Sequence, residues 1–195
     1  GVELVRHAKR EGLRVSADVA VHHLHLIDVD TSNFDPNTRV LPPFRSQRDR
    51  DALRAAVLDG TIDVICSDHA PIDDDAKQVP FGEAEPGVTA IELLLPLTLK
   101  WAQETSLGLP EALQRLTVNA GRVLGRDAGQ LAIGAQADIC IFKPDASWTV
   151  TPKNLFSQGA NTPYLGRDLE GQVTAVFVDG RCVFDRAHGG FTLGA

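Results

Sequence analysis

Hydrophobic positions follow a helical spacing through the first two thirds of the chain. This spacing predicts helices at residues 2–11, 46–58, 89–104 and 110–124. Short apolar runs between them predict strands at residues 14–21, at Val40 and at residues 62–67. The run 62–67 is nearly continuous in apolar residues, as in a strand covered on both faces by helices. Alternation of strands and helices is typical of a parallel α/β sheet or barrel.

The last third of the chain has shorter apolar runs separated by turn residues. These runs predict strands at residues 129–134, 137–142, 148–150 and 173–184. Asp179 and Gly180 stand between two alternating apolar runs, which is a strong signal for a tight hairpin. We therefore divide the chain into an α/β part, residues 1–125, and a small β part, residues 126–195. Residues 151–171 are polar and too many for a simple connection, so we expect a packed docking loop there.

Composition and charge narrow the possible functions. The chain has 195 residues, of which 43% are hydrophobic, enough for a real core. It has 19 Lys and Arg against 26 Asp and Glu, a net charge of −7, so we expect no nucleic-acid binding. The longest apolar stretch, residues 90–99, is interrupted by Glu92 and Pro96. Because a membrane span needs roughly 20 apolar residues, we expect no membrane segment either.

The cysteines bear on the cellular compartment of the protein, and the first residues bear on whether the chain is part of a longer protein. Cys66, Cys140 and Cys182 each lie in an apolar run, the usual setting of buried reduced thiols, and this favours the cytoplasm. The chain contains no Met and opens on a helical pattern already under way. We therefore expect it to be the C-terminal portion of a longer protein, and the 195-residue piece alone to be inactive.

The sharpest local feature is the segment Ser-Asp-His-Ala-Pro at residues 67–71, at the end of the predicted strand 62–67. Active-site residues of parallel barrels lie at the carboxyl ends of strands, which makes Asp68 a site candidate. Its carboxylate could ligate a metal or take a proton from a metal-bound water. The pattern leaves a second interpretation equally open, in which Asp68 caps the loop that follows.

A second feature is a group of three histidines, His22, His23 and His25, at the end of the predicted strand 14–21. Imidazole nitrogens are common zinc ligands, and a strand end could supply one metal bond. The group alone is a weak signal, because buried histidines more often pack or form hydrogen bonds. We expect that ordinary structural role for His23 and His25.

Six short motifs follow one another along nearly the whole chain. They are the histidine pair 22–23, Leu-Pro-Pro-Phe-Arg at 41–45, Asp-Gly-Thr-Ile-Asp at 59–63, the segment 67–71, Pro-Phe-Gly at 80–82, and Asn-Thr-Pro at 161–163 with Leu-Gly at 165–166. In this order they resemble the dihydroorotase branch of the amidohydrolase superfamily. Residues 134–138, Gly-Ala-Gln-Ala-Asp, are also similar to the superfamily's signature at the start of its β-sandwich.

The resemblance implies an α/β fold: the C-terminal part of a (β/α)8 TIM-type barrel, about its last three strands, followed by strands of a small β-sandwich. Active members of the family hold one or two zinc ions at the barrel mouth. By motif, His22 would be a zinc ligand from the sixth strand. Asp68, from the eighth, would be a zinc ligand and the general base. Pro86 and Gly87 would offer backbone contacts to the pyrimidine ring.

Two positions depart from the family's pattern where substrate would bind. The family has Asn before the Pro-Pro pair and His directly after Asp-His-Ala-Pro, and here these places hold Leu41 and Ile72. Neither side chain can form a hydrogen bond, and each lost bond to a charged substrate is worth about 1.5–3 kcal/mol. Val21 also replaces the Pro that usually precedes the histidine pair. The departures resemble the dihydroorotase-like chains that are non-catalytic partners of aspartate carbamoyltransferase.

The resemblance leaves two functions open. The first is a catalytically degenerate dihydroorotase-family subunit of de novo pyrimidine biosynthesis, oligomeric and assembled with aspartate carbamoyltransferase. The second is an active zinc dihydroorotase that interconverts dihydroorotate and carbamoyl aspartate. A third function, hydrolysis of another ring such as a hydantoin or allantoin, is disfavoured because the motifs at 41–45 and 161–163 look specific to the dihydroorotase branch.

Overall fold

Two short parallel strands form the centre of the first part of the chain. The computed structural model describes residues 1–191 and pairs β1 (Asp18–Ala20) with β2 (Val64–Cys66), so that Val19 lies opposite Ile65. Val19 and Ile65 are buried. Because side chains alternate across a strand, Asp18 and Cys66 share the opposite face.

Six helices accompany these strands. They are α1 (Val2–Arg10), α2 (Gln47–Leu58), α3 (Asp74–Lys77), α4 (Leu94–Glu104), α5 (Leu109–Gln114) and α6 (Val118–Val123). Single 3-10 turns occur at Val21–Leu24, Asp28–Thr31, Pro36–Thr38, Ile91–Leu93 and Arg186–His188. The Ser46 hydroxyl accepts a hydrogen bond from the Asp49 N–H and so caps α2. The helix predicted at 46–58 is confirmed.

The second part of the chain is an antiparallel sheet of four strands. Their order in the sheet is β3 (Ile139–Thr149), β4 (Asp168–Val178), β5 (Arg181–Asp185) and β6 (Gly190–Phe191). Asp179 and Gly180 join β4 to β5 with φ of +50° and +75°. Two successive positive φ angles are what a type I′ turn requires, so the predicted hairpin is confirmed.

One hydrophobic core joins the two parts. Leu97 and Trp101 of α4 have no exposed surface, and neither has Val57 of α2. The same core includes Val150, Leu155, Tyr164 and Leu169 from the second part of the chain. Burying one such side chain contributes about 1.5–3 kcal/mol, so this contact fixes the sheet and the loop before β4 against the helices.

The connection between β3 and β4, residues 150–167, is packed at several points. The Glu92 carboxylate accepts hydrogen bonds from the backbone N–H groups of Phe156 and Ser157, each 2.8 Å long, and from the Ser157 hydroxyl. Val150 and Tyr164 are buried. The loop predicted at 151–171 is therefore packed but ends earlier, because β4 begins at Asp168. Its docking role stays a prediction.

Other predicted elements differ from the structure. Residues 129–134 form no strand, and Leu131 and Ile133 are exposed. The helix predicted at 110–124 is two helices, because the chain turns at residues 115–117. The strands predicted at 137–142 and 148–150 are one strand, β3, with an irregularity between Lys143 and Ser147. Val40 lies outside any strand.

None of the helices in residues 1–191 combines the length and the hydrophobicity needed to cross a bilayer. Residues 192–195, the end of the predicted β part, lie outside the described residues.

Candidate active site

Asp68 lies at the carboxyl end of the two parallel strands, two residues after β2, and its side chain is exposed. Its φ is +48°, in the left-handed region that residues other than glycine rarely adopt. Such a conformation costs about 1–3 kcal/mol and is concentrated at functional sites. The structure therefore places the candidate carboxylate at the strand end, where the sequence predicted it.

His22 lies in the 3-10 turn directly after β1 and has no exposed surface. Neither of its ring nitrogens has a hydrogen-bond partner among residues 1–191. Its ring centroid lies 4.7 Å from that of His23 and 5.7 Å from that of Phe44. Burial, together with the nearby His23, lowers the pKa of His22 to about 3, so the ring is neutral at physiological pH.

His23 is the histidine on which Asp68 acts electrostatically. Burial lowers the pKa of His23, and the Asp68 carboxylate opposes part of that shift. His23 is 8% exposed, and in the described part of the chain its Nε2 has no hydrogen-bond partner. The sequence alone does not tell which of the two neighbouring histidines Asp68 acts on. Both lie in a 3-10 turn, where the alternation of side chains along a strand does not apply.

The pairing of β1 with β2 places both candidate residues at one end of a two-stranded sheet. The two strands are immediate neighbours, so His22 and Asp68 follow adjacent strands. The assignment of His22 to the sixth barrel strand and of Asp68 to the eighth stays a prediction, because two strands alone do not number the strands of a barrel. The described residues also form two parallel strands instead of about three.

A zinc centre needs at least three protein ligands, and a catalytic one also keeps an open position. Within residues 1–191 no three His, Cys, Asp or Glu side chains are grouped so that they could hold a metal ion. His22 is sealed from solvent, whereas Asp68 is exposed. The described part of the chain therefore does not fit a zinc centre by itself, and the assignment of His22 and Asp68 as ligands stays a prediction.

The other predicted site positions lie on three adjoining segments. The Gly87 N–H donates a 2.9 Å hydrogen bond to the Arg39 carbonyl, two residues before Leu41. A Cβ on Gly87 would lie 3.1 Å from Ile72 Cγ1, so Ile72 lies against Gly87. Pro86 is half-buried, and Leu41 is 69% exposed. Ile72, Gly87 and the segment that leads to Leu41 therefore lie next to one another. Together they form one wall of the candidate site.

The loop after β2 is held to residues 88–91 through His69. Its Nδ1 accepts hydrogen bonds from the backbone N–H groups of Ala90, at 3.1 Å, and Ile91, at 3.2 Å. The Ala70 N–H donates to the Val88 carbonyl at 2.9 Å. His69 therefore positions the wall of the site.

Asn161 is a site residue that sequence reasoning missed. Its side chain is buried and forms hydrogen bonds with Ala70, Ile72, Gly87 and Thr89. The only signal for it in the sequence was the Asn-Thr-Pro motif at 161–163, which by itself assigns no contact.

Cys66, the last residue of β2, lies two positions before Asp68 and forms a hydrogen bond with a carboxylate. Cys66 Sγ donates a hydrogen bond to Asp18 Oδ2 at 3.0 Å, between the two parallel strands. Burial and the neighbouring Asp18 carboxylate raise the pKa of Cys66 to about 12. The thiol is therefore protonated at neutral pH and is not an activated nucleophile.

Comparison with known proteins gives the family. The sequence model of the amidohydrolase family matches residues 3–183. The chain belongs to the amidohydrolase family. Solved structures of the family agree with the predicted fold class, the C-terminal part of a TIM-type barrel followed by a small β part.

Two curated relatives show how far this amidohydrolase matches along its length. It is 40% identical over 183 residues to the dihydroorotase of Syntrophus aciditrophicus strain SB, and 43% identical over 180 residues to a dihydroorotase-like protein of Pseudomonas putida. The matches cover 94% and 92% of this chain but only 43% and 42% of those relatives. The chain thus spans less than half the length of the curated relatives it matches.

Two solved structures are similar in fold. The L-hydantoinase (dihydropyrimidinase) of Arthrobacter aurescens has a TM-score of 0.86 at 25% identity, over 94% of this chain and 42% of the hydantoinase. The inactive dihydroorotase-like domain of the Chaetomium thermophilum CAD-like multifunctional protein has a TM-score of 0.67 at 22% identity, over 93% of this chain and 47% of that one. The likeness to this domain concerns the fold alone.

Proposed function

We propose that this amidohydrolase chain is the C-terminal part of a cytoplasmic dihydroorotase-family protein of de novo pyrimidine biosynthesis, called the parent below. The parent is catalytically degenerate and serves as a subunit that assembles with aspartate carbamoyltransferase. The observation that carries this proposal is the apolar contact of Ile72 with Gly87, beside the segment that ends at Leu41.

The apolar side chains of Leu41 and Ile72 at this wall support the loss of catalysis. A charged cyclic amide needs hydrogen-bond partners that orient it, and neither Leu41 nor Ile72 supplies one. Each missing hydrogen bond to a charged substrate is worth about 1.5–3 kcal/mol, which is about one to two decades in rate. Leu41 is also 69% exposed, an apolar side chain where the resemblance expects a polar contact.

The hydrogen bonds that hold the loops of the site in place support a structural role for the parent. His69 and Asn161 still hold the loops around Ile72 and Gly87, although the side chains at 41 and 72 have changed. An assembly requires the barrel surface and its folding, not its pocket chemistry, so the pocket can change while the frame stays. The 43% identity to the dihydroorotase-like protein of Pseudomonas putida supports the family assignment, which the second candidate function shares.

The second candidate function is an active zinc dihydroorotase acting on dihydroorotate or carbamoyl aspartate. The exposed Asp68 at the strand end and the unpartnered ring nitrogens of His22 favour it. His22 and Asp68 would be the zinc ligands from this chain, and the other ligands would come from the rest of the parent. This chain itself would contribute proton transfer at the Asp68 carboxylate and the backbone contacts of Pro86 and Gly87.

The double variant Leu41→Asn with Ile72→His in the zinc-supplied parent tests the proposal. It restores the two polar contacts, so the rate of dihydroorotate ring opening should rise by at least about one decade from a very low starting value. The matched control makes the same replacements at two exposed apolar positions, Leu131→Asn with Ile133→His, and should leave the rate unchanged. An ordinary dihydroorotase rate in the unmodified parent would contradict catalytic degeneracy.

A further inference from the structure

We propose that Asn161 is a positioning residue for the pocket, whose carboxamide fixes the wall formed by Ile72 and Gly87. The inference rests on the dihydroorotase-family assignment within the proposed function, because that assignment is what makes this wall the ligand-facing one. It also connects the loop 150–167, predicted to dock a partner, with the pocket.

The donors and the acceptor sites of the Asn161 carboxamide all have hydrogen-bond partners. Its Nδ2 donates to the carbonyls of Ala70, at 3.1 Å, and Gly87, at 3.0 Å. Its Oδ1 accepts from the Ile72 N–H, at 2.9 Å, and lies 2.8 Å from the Thr89 hydroxyl, whose one proton it shares with the Gly159 carbonyl at 2.9 Å. A primary amide has two N–H donors and two acceptor sites, so all four are occupied.

The orientation of this amide is set by its partners. Two carbonyls face its nitrogen, and an N–H and a hydroxyl face its oxygen. A reversed amide would place donor against donor and acceptor against acceptor. Asn161 is only 4% exposed, so water cannot replace a lost partner.

The two loops approach each other closely beside the Asn161 carboxamide. A Cβ on Gly159 would lie 2.9 Å from Asn161 Oδ1 and 2.8 Å from Pro71 Cβ, so the two loops are in close contact here. The backbone carbonyl of Asn161 accepts a 2.8 Å hydrogen bond from the Thr89 N–H. Both the side chain and the backbone of Asn161 therefore hold the strand-end loop and residues 86–89 together.

Two amide protons of the wall have partners other than Asn161. The Ala70 N–H donates to Val88, and the Gly87 N–H donates to Arg39. If Asn161 only filled space, its replacement would not make these two amide protons exchange faster than the other amide protons of the protein. If it positions the wall, both should exchange faster when the carboxamide loses its donors, while distant amides keep their protection.

The experiment is hydrogen–deuterium exchange on the full-length parent with Asn161→Asp, which keeps the shape and removes both donors. We expect amide exchange at Ala70 and Gly87 to be at least about tenfold faster than in the unmodified parent, with β4 unchanged. The matched control is Asn154→Asp in the same loop, whose Nδ2 donates a single exposed hydrogen bond to the Thr149 carbonyl. This control should leave Ala70 and Gly87 protected.

A complementary variant keeps the test decisive if Asn161→Asp does not fold. Thr89→Val keeps the shape and removes one donor to Asn161 Oδ1, so exchange at Ala70 and Gly87 should rise by a few fold only. Unchanged exchange at these two amides, or an equal rise throughout the protein, would overturn the inference. Because exchange does not depend on turnover, an active parent would overturn the proposed function and leave this result in place.

Discussion

Ile72 lies against the backbone of Gly87, where a Cβ would come within 3.1 Å of Ile72 Cγ1 and within 2.9 Å of both the Cβ and the carbonyl oxygen of Ala70. The φ of Gly87 is +153°, a backbone conformation that other residues rarely adopt. Close approach and backbone conformation thus both require glycine here. An apolar side chain therefore covers the position where the resemblance predicts a backbone contact to ligand.

Gly87→Ala should destabilise the parent by at least about 2 kcal/mol, because the new Cβ meets Ala70 and strains the backbone. Denaturant unfolding measures the change. Gly82→Ala is the matched control, since nothing lies within 4 Å of a Cβ there, and it should change the unfolding free energy by less than about 0.5 kcal/mol. Equal unfolding free energies for the two variants would contradict the packing of Gly87.

Cys66 should resist alkylation in the folded parent. Burial and the Asp18 carboxylate raise its pKa to about 12, so very little of the thiol is the reactive thiolate at pH 8. Asp18→Asn removes the negative charge and should lower the pKa, which increases the rate of modification by iodoacetamide. Peptide mass spectrometry after timed labelling measures this rate for each cysteine.

The exposed Cys140 provides the internal comparison for this labelling. It should react faster than Cys66 in the same sample, and the Asp18→Asn change should leave its rate unaltered. Labelling of Cys66 as fast as that of Cys140 in the unmodified, folded parent would show that the Cys66 to Asp18 hydrogen bond does not hold in solution.

His25 should make the stability of the parent depend on pH. Burial lowers its pKa to about 4, while the unfolded value is about 6.5. At a pH between these two pKa values, His25 binds a proton in the unfolded state but not in the folded state. The free energy of unfolding therefore falls as pH falls through this window, by about 1.4 kcal/mol per pH unit for this group.

His25→Gln should flatten that slope by the same amount, as denaturant unfolding at pH 7, 6 and 5 would show. His25 Nε2 lies 2.9 Å from the Leu97 carbonyl, and glutamine can still donate to it. His7→Gln, at an exposed position of α1, is the control and should leave the slope unchanged. Parallel slopes for His25→Gln and the unmodified parent would refute the buried neutral state of His25.

Local chemistry explains which elements were predictable from the sequence. Ser46 has the side chain that caps a helix, and α2 begins directly after it. Asp179 and Gly180 tolerate positive φ, and the hairpin turns there. The nearly continuous apolar run around Ile65 likewise indicated a buried strand, although the paired part is shorter than the apolar run.

Long-range contacts explain what the sequence could not show. The hydrogen bond between the Ile72 N–H and Asn161 Oδ1 joins residues 89 positions apart, and no local pattern encodes it. Whether His22 or His23 is coupled to Asp68 depends on the 3-10 turn after β1. Residues 129–134 have strand-like apolar side chains but pair with no strand among residues 1–191.

The most direct test of catalytic degeneracy is the rate of dihydroorotate ring opening by the zinc-supplied parent, measured alone and then mixed with aspartate carbamoyltransferase. We predict no turnover above a very low residual rate in either sample and a stable complex in the mixture, detected by its sedimentation. Turnover by the parent alone would contradict the proposal, make the parent an active dihydroorotase, and show that Leu41 and Ile72 do not prevent productive substrate binding.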